Sequence, residues 1–329
     1  MQERTIRHVQ KIGSSYAIIL PKDWVEEFGV SKSKAVFVES EGKKLVIYPE
    51  SASGEGESPQ YVIEVSEEKK MSFVLRSFIS AYLLGAKIIS IKSKSKKLQQ
   101  AFKEEAKKLA KDLMIGIEVL EESSDSITFQ EIASWPSITL SGLLKRMYTI
   151  TQNMIRDAYS AILTKDEDIM LSVISADSEV DKFYFYGIRS LNVMLYNKAL
   201  MKQFNIERQA QLLITKSLLK NIERIADHAV NIAKLSSVQL SEDQLKKLDE
   251  IYRGVSLLLE KTYKALVSLD INLANDIIDE VKTFNKSVEE YSKEVPRELL
   301  EHFERIAEYT SDIAENLIDF KISEELLNN

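Results

Sequence analysis

Apolar residues come in short extended runs over the first fifty positions and in long helical stripes toward the end of the chain. The opening runs read TIRHVQKI, YAIIL, PKDWVEEFG, AVFVES and KKLVIYP. They predict a small β-rich unit with one short helix starting near Pro21, where a fixed φ suits a first helical turn. AVFVES and KKLVIYP, separated by Glu41-Gly42, predict a hairpin. A unit of this size buries little apolar surface, so it is expected to dimerise.

The next stretch runs YVIEV, a helix near Glu68 to Leu84 stopped by Gly85, KIISIKS, a helix from Lys96 to Met114, then GIEVLEE and SITFQEI around a turn. That β-α-β-α-β-β order predicts a small two-layer α/β unit ending in a hairpin. The lysine-rich helix in it has alanines and leucines at helical spacing, so its basic residues are expected on a solvated face. From Ile138 to Ile322 the pattern is about six helices, with breaks near Thr164, Phe204, Ser236, Asp270 to Asn272 and Pro296. This predicts an all-α bundle, with the second and third helices, near Asp166 to Met201 and Ile206 to Leu235, each longer than thirty residues and together an elongated hairpin.

Turn residues sharpen these boundaries. Eight of the ten glycines and four of the five prolines precede Leu143. ESASGEGESPQ lacks any side chain able to anchor it to a core, and Trp135-Pro136 disfavours helix before the proline. The expected organisation is therefore 1–50 as a β-rich domain, 51–60 as linker, 61–135 as the α/β unit and 136–329 as the helical domain. Composition then narrows the chemistry. The absence of cysteine excludes disulfides, thiolate zinc fingers and a cysteine nucleophile, and fits a reducing cytoplasm. No apolar stretch reaches the roughly 20 residues a bilayer span needs, and the charged N-terminus lacks a secretory core, so no membrane insertion is expected. The net charge of −7 argues against nucleic-acid binding by the whole surface but leaves room for a local basic arm.

One internal repeat stands out. NIERIADHAVNIA at 221–233 matches HFERIAEYTSDIA at 302–314, with Glu-Arg-Ile-Ala identical in both. Ile222, Ile225, Ala229 and Ile232 form one apolar stripe. At about 100° per residue, Glu223, Asp227 and Asn231 fall on the opposite face, as do Glu304, Glu308 and Asp312 in the second copy. Like charges at i and i+4 destabilise a helix by a few tenths of a kcal/mol, roughly, so the ladder requires solvation, salt bridges or a cation. Lys220, Arg224 and Arg305 supply a salt-bridged reading. On the preceding helix Asp177 and Asp181 repeat the spacing, and a chain reversal near Phe204 leaves Asp181 and Asp227 equally far from the turn. Hard oxygen ligands on facing helices suit iron, manganese or magnesium. Asp177 and Asp181 nevertheless fall within the apolar arc of Val173, Val180, Tyr184 and Leu191. The three histidines lack ligand spacing, and His228 reads as a helix-surface residue. No phosphate loop or nucleophile elbow is present, so the chain reads as a non-enzyme.

With ADSEVDKF at 176–183, NIERIADHAVNIA and HFERIAEYTSDIA, the helical region resembles the PhoU family of phosphate-uptake regulators over roughly 138–322. The resemblance implies two three-helix repeats, negative regulation of a phosphate ABC transporter, and multinuclear iron or zinc clusters held by acidic motifs; magnesium or manganese would also suit such oxygens. It carries ligand roles to Asp177, Asp181, Glu223 and Asp227 for one cluster and to Glu304 and Glu308 for the other. The second repeat departs from the pattern, because Val281 and Asn285 stand where Asp177 and Asp181 stand in the first.

RHVQKIGSSYAIILPKDWVEEFGV, followed by AVFVES and LVIYP, resembles the AbrB/MazE/SpoVT swapped-hairpin family. That likeness implies a barrel built from two interleaved chains, with basic side chains reaching promoter DNA. Arg4, Arg7, Lys11 and Lys22 against Glu3 give the first 22 residues a net +3, the sign that DNA requires. The basic residues also fit the protection of an exposed edge strand. Over nearly its whole length the chain resembles an archaeal fusion of AbrB-like and PhoU-like parts. The expected function is a homodimeric transcriptional regulator of phosphate uptake. The rival is an adaptor that docks on a phosphate transporter or kinase and uses its N-terminal domain only to dimerise, and a metal-dependent enzyme stands third.

Overall fold

A computed structural model describes residues 6–33, 35–41, 44–49, 59–66, 68–94, 97–132 and 139–326. The predicted basic residue Arg4, most of the predicted linker and the Trp135-Pro136 break lie outside the described residues. The chain divides into two compact units, Met1–Gln60 and Tyr61–Asn329.

The first unit contains two separate hairpins. β1 (Val9–Ile12) and β2 (Ser15–Ile18) are antiparallel around Gly13, whose φ of +63° is the left-handed conformation that a tight turn needs. Two short helices follow, α1 (Lys22–Glu27), which begins directly after Pro21 as predicted, and α2 (Val30–Ser33). β3 (Val36–Glu41) and β4 (Lys44–Pro49) form the second hairpin, with Phe37 stacked on its cross-strand partner Tyr48. Glu41 pairs with Lys44 inside the ladder, so the connection falls one residue later than the predicted Glu41-Gly42. Among the described residues of this unit Val30 is the one buried large hydrophobic side chain, while Ile12, Tyr16, Ile19 and Leu45 are each more than 60% exposed. Two-stranded hairpins are marginal alone, and among the described residues the apolar faces of these two are largely exposed.

In the second unit β5 (Gln60–Val65), α3 (Met71–Leu83), β6 (Ile88–Ser93), α4 (Gln100–Leu113), β7 (Ile117–Glu122) and β8 (Ser126–Glu131) follow in the predicted order. The sheet order is β5-β6-β8-β7, with β8 antiparallel to both neighbours and a bulge in β7 between Val119 and Glu121. Ile63, Val65, Ile89, Ile91, Ile127 and Phe129 alternate onto one buried face against Phe78, Tyr82 and Phe102 of the two helices. One lysine departs from the expected solvated face of α4. Lys103 is buried, donates to the Ser123 carbonyl and stands 3.5 Å from the Glu122 carboxylate, tying the helix to the end hairpin.

The helical region consists of α5 (Leu140–Thr164), α6 (Glu167–Met194), short α7 (Lys198–Gln203), α8 (Gln209–Lys234), α9 (Glu242–Ser268), α10 (Ile271–Glu290) and α11 (Arg297–Glu325), with a single 3-10 turn at Tyr291–Lys293. The breaks fall where the sequence places them. Asp166, Ser241 and Asp270 accept hydrogen bonds from the first turns of α6, α9 and α10, satisfying amides that the helices themselves cannot. The predicted length of the second and third helices is corrected: α6 has 28 residues and α8 has 26. Asn197 is the local cause, since its side chain accepts from the Leu200 amide and starts α7 as a separate helix. Two groups of three long helices, α5-α6-α8 and α9-α10-α11, share one core through α8 against α11 and α5 against α9. Among the described residues no helix is long and apolar enough to cross a membrane.

The α/β layer and the helices of this unit meet at α6. Arg189 of α6 is buried beneath the C-terminal end of α3, donating to the Tyr82 carbonyl and lying 2.8 Å from Glu131 of β8. Asn192 donates to the Leu83 carbonyl and Lys182 to the Lys111 carbonyl at the end of α4. Cationic and amide donors thus meet carbonyls in the last turns of α3 and α4, the end of a helix where positive charge is favoured.

Candidate functional site

The predicted basic residues lie in the first unit. Arg7 and Lys11 are exposed, and Lys22 is exposed with Glu26 3.7 Å away along α1. The β1–β2 register puts Lys11 beside Tyr16, and Val9 beside Ile18, on one strand face. Lys11 therefore projects from the apolar face of the hairpin, and Gln10, Ala17, Ile12 and Ser15 form the other.

The predicted acids are brought together in the first repeat. Gly187 of α6 permits close helix approach, since a Cβ there would stand 2.6 Å from Leu219 Cδ1 of α8. An antiparallel register with residue 187 opposite 219 places 177–181 opposite 225–229, so Asp177 and Asp181 come level with Asp227, and Glu223 sits one turn away. The face opposite the apolar stripe of α8 is therefore a cleft against α6 rather than open solvent. Glu223 is buried and Asp177, Asp181 and Asp227 are half-buried.

Electrostatics follow from that enclosure. Desolvation first, then the charges of Asp181, Asp227 and Glu223, push Asp177 up to about 6. Desolvation, Glu223 and Asp227 do the same to Asp181, also to about 6, with Lys220 opposing. Lys220 is the local counter-ion, 2.6 Å from Glu223 and over the Tyr184 ring. Asp177 Oδ1 is buried without a hydrogen-bond partner, one of two such side-chain atoms among the described residues. An unpartnered buried carboxylate oxygen in a set of four acids and one lysine matches the donor chemistry of a hard cation. Among the described residues, however, no three Asp, Glu or His side chains are already arranged around an ion position.

The second repeat is assembled differently. Glu304 lies 3.1 Å from Arg297 and Glu308 pairs with Arg305, both within α11. Burial raises the pKa of Glu304, but the acids acting on it, Glu308 and Glu301, are on its own helix. On α10, Val281 is buried, and Asn285 Oδ1 is the second unpartnered buried oxygen. The donor set there is two arginine-paired carboxylates, with Val281 and Asn285 on α10 in place of the two aspartates of the first repeat, and it does not fit a cluster as the first does.

Sequence reasoning missed the placement of the histidines. His228 is half-buried rather than on the helix surface, and its Nδ1 lies 3.0 Å from Nδ1 of His302, across the α8–α11 contact. Burial, then His302, Arg305 and Arg224, push His228 down to about 4. Burial also lowers His302, against Glu298 and Glu301. Seventy-four residues separate the pair in sequence, so no local spacing signals it.

Comparison with known proteins places these features in context. The family model described as PhoU domain matches residues 144–236, and that described as antidote-toxin recognition MazE, bacterial antitoxin, matches 9–55. The PhoU homolog 1 of Thermotoga maritima, a phosphate-specific transport system accessory protein, is 25% identical over 199 residues, covering 53% of this chain and 82% of its own. A PhoU homolog of the same description from Caulobacter vibrioides is 31% identical over 110 residues, 33% of this chain. The match spans 45% of that relative's length. Among solved structures, PhoU from Streptococcus pneumoniae aligns with a TM-score of 0.42 at 18% identity, over 55% of this chain and 93% of that one. PhoU from Pseudomonas aeruginosa aligns at 0.40 and 17%, over 56% and 96%. The chain thus joins a MazE-like strand unit to a PhoU-like helical region, as both resemblances imply.

Proposed function

We propose that this chain is a homodimeric, non-catalytic regulator of phosphate uptake that contacts promoter DNA through its first unit and reports phosphate status through its helical region. The observation that carries the reading is the first hairpin: Arg7 and Lys11 are exposed on a unit whose apolar faces have no core of their own. A second copy covering the opposite face, that of Ile12 and Ala17, would leave Arg7 and Lys11 to meet phosphates. The PhoU likeness of 144–236, and the printed description of its relatives as phosphate transport accessory proteins, support the signal assigned to the helical region.

DNA affinity should fall with salt, by about 0.9 in log affinity per log salt for each phosphate neutralised. Arg7→Ala with Lys11→Ala is expected to flatten that slope by roughly two and to weaken binding to the upstream region of its own gene, with the dimer intact by light scattering. A second reading has its own support. Lys11 shares a strand face with Val9, Tyr16 and Ile18, so a partner covering that face would meet this lysine before DNA does. Under that reading the protein is an adaptor for phosphate ABC transporter components, and the double substitution leaves DNA retention unchanged.

Within the helical region, Asp177, Asp181, Glu223 and Asp227 are the residues that would hold a metal cluster. Iron or zinc follows from the family resemblance, and magnesium or manganese from the oxygen donors. A bound cation supplies charge neutralisation between α6 and α8. The residues' own part is to present four carboxylates in a partly desolvated cleft. Elemental analysis of protein purified without chelator tests this: Glu223→Ala and Asp227→Ala are expected to lose the metal, and Glu304→Ala to retain it. Unchanged content in the first two returns these acids to salt-bridged packing.

A further inference from the structure

We infer that His228 and His302 form a second, separate metal site, a two-imidazole clamp for a borderline ion such as zinc or copper, joining the two helical repeats. The distance is the first argument. Two metal–imidazole bonds of about 2.0–2.1 Å, closing at an angle between square and tetrahedral, hold their nitrogens about 2.9–3.4 Å apart. The two Nδ1 atoms already stand 3.0 Å apart. The ring centres stand 5.2 Å apart, an end-on contact, so each ring turns by about 35–45° to aim its lone pair at one ion.

For both Nδ1 atoms to ligate, the one proton shared across that contact moves to Nε2 of the ring that carries it, so each imidazole binds as a neutral ligand and no net proton is released. The charges around them are balanced. Arg224 and Arg305 face His228, but Arg305 is bonded to Glu308 and to the Tyr309 hydroxyl, and Glu298 and Glu301 face His302. The Tyr309 ring, 5.8 Å from that of His228, closes one side. With two protein donors the remaining positions belong to water, so binding is reversible rather than structural. Imidazole also distinguishes this site from the acid cleft: two nitrogen donors favour copper, and zinc over magnesium or manganese, whereas an all-carboxylate set also takes the harder ions. An ion here fastens α8, which carries Glu223 and Asp227, to α11 of the other repeat.

The test uses the full chain, stripped by chelator, with zinc and copper alone as probes. Calorimetric titration with zinc is expected to show a site whose affinity falls about tenfold or more in His228→Ala and in His302→Ala. It is expected to persist in the Asp177→Asn/Asp181→Asn double variant. The copper form of the unsubstituted protein is expected to show hyperfine coupling to two imidazole nitrogens by electron paramagnetic resonance, which decides the matter even if an alanine form fails to fold. Zinc affinity unchanged in both histidine variants, zinc binding lost only in the aspartate variant, or a copper spectrum with oxygen donors alone would each overturn the inference.

Discussion

Arg189→Leu is expected to cost about 3–5 kcal/mol of stability, the range for removing one partner of a buried ion pair. The guanidinium is 1% exposed, its carboxylate partner Glu131 11%. Its loss leaves Glu131 uncompensated and the Tyr82 carbonyl without this donor at the end of α3. The guanidinium also lies 4.8 Å from the centre of the Tyr82 ring, so packing is lost with charge. Urea titration of the full chain measures the effect. Adding Glu131→Gln should recover part of it, because the stranded charge is then gone. A loss below about 1 kcal/mol would mean that water reaches the pair, since exposed ion pairs contribute no more than that. Arg189 docks the α/β layer on α6, the helix that also carries Asp177 and Asp181.

Metal-free Asp181→Asn is expected to be more stable than the unsubstituted chain at pH 7 and equal to it near pH 4. The sign follows from where the protons sit. Asp177 and Asp181 are raised from 3.8 to about 6 in the folded state, so the folded chain holds more protons than the unfolded chain between those values. The contribution of this pair to stability therefore falls as pH rises through that window and levels off above it. After discounting for solvent entering a half-open cleft, the gain at pH 7 is on the order of 1–2 kcal/mol. The two carboxyls interact, so the titration belongs to the pair rather than to either residue. Denaturant midpoints measured from pH 4 to 8 in chelator would show the two chains coinciding near pH 4 and separating as pH rises past 6, the contribution of the lowered His228 and His302 cancelling in the difference. Parallel curves would show that the acids are solvated and do not repel one another. Stabilisation by removing a charge marks a site held at a cost to the fold, as expected of groups kept for a ligand.

Much of this architecture was legible along the chain because the signals are local. Alternation and turn residues placed the second and end hairpins and the β-α-β-α-β-β order, and the breaks read near Thr164, Ser236 and Asp270 fall beside helix starts that Asp166, Ser241 and Asp270 cap. Helix length was the exception. A continuous apolar pattern ran through Leu195 and Tyr196, and Asn197, which divides it, is a weak breaker that acts only once its side chain finds the Leu200 amide.

The candidate site divides along the same line. Helical periodicity alone put Glu223 and Asp227 on one face of α8, and the repeat alone showed that Val281 and Asn285 replace the two aspartates of the first copy. Whether that acidic face met solvent or another helix depended on the spacing of α6 and α8, which Gly187 against Leu219 sets. The same holds for His228 against His302 and for Arg189 against Glu131, contacts between residues 74 and 58 positions apart. Local periodicity determines which side of a helix a residue occupies. Only the summed packing of many side chains decides what stands opposite it, and the partner, not the side, sets burial, charge and chemistry.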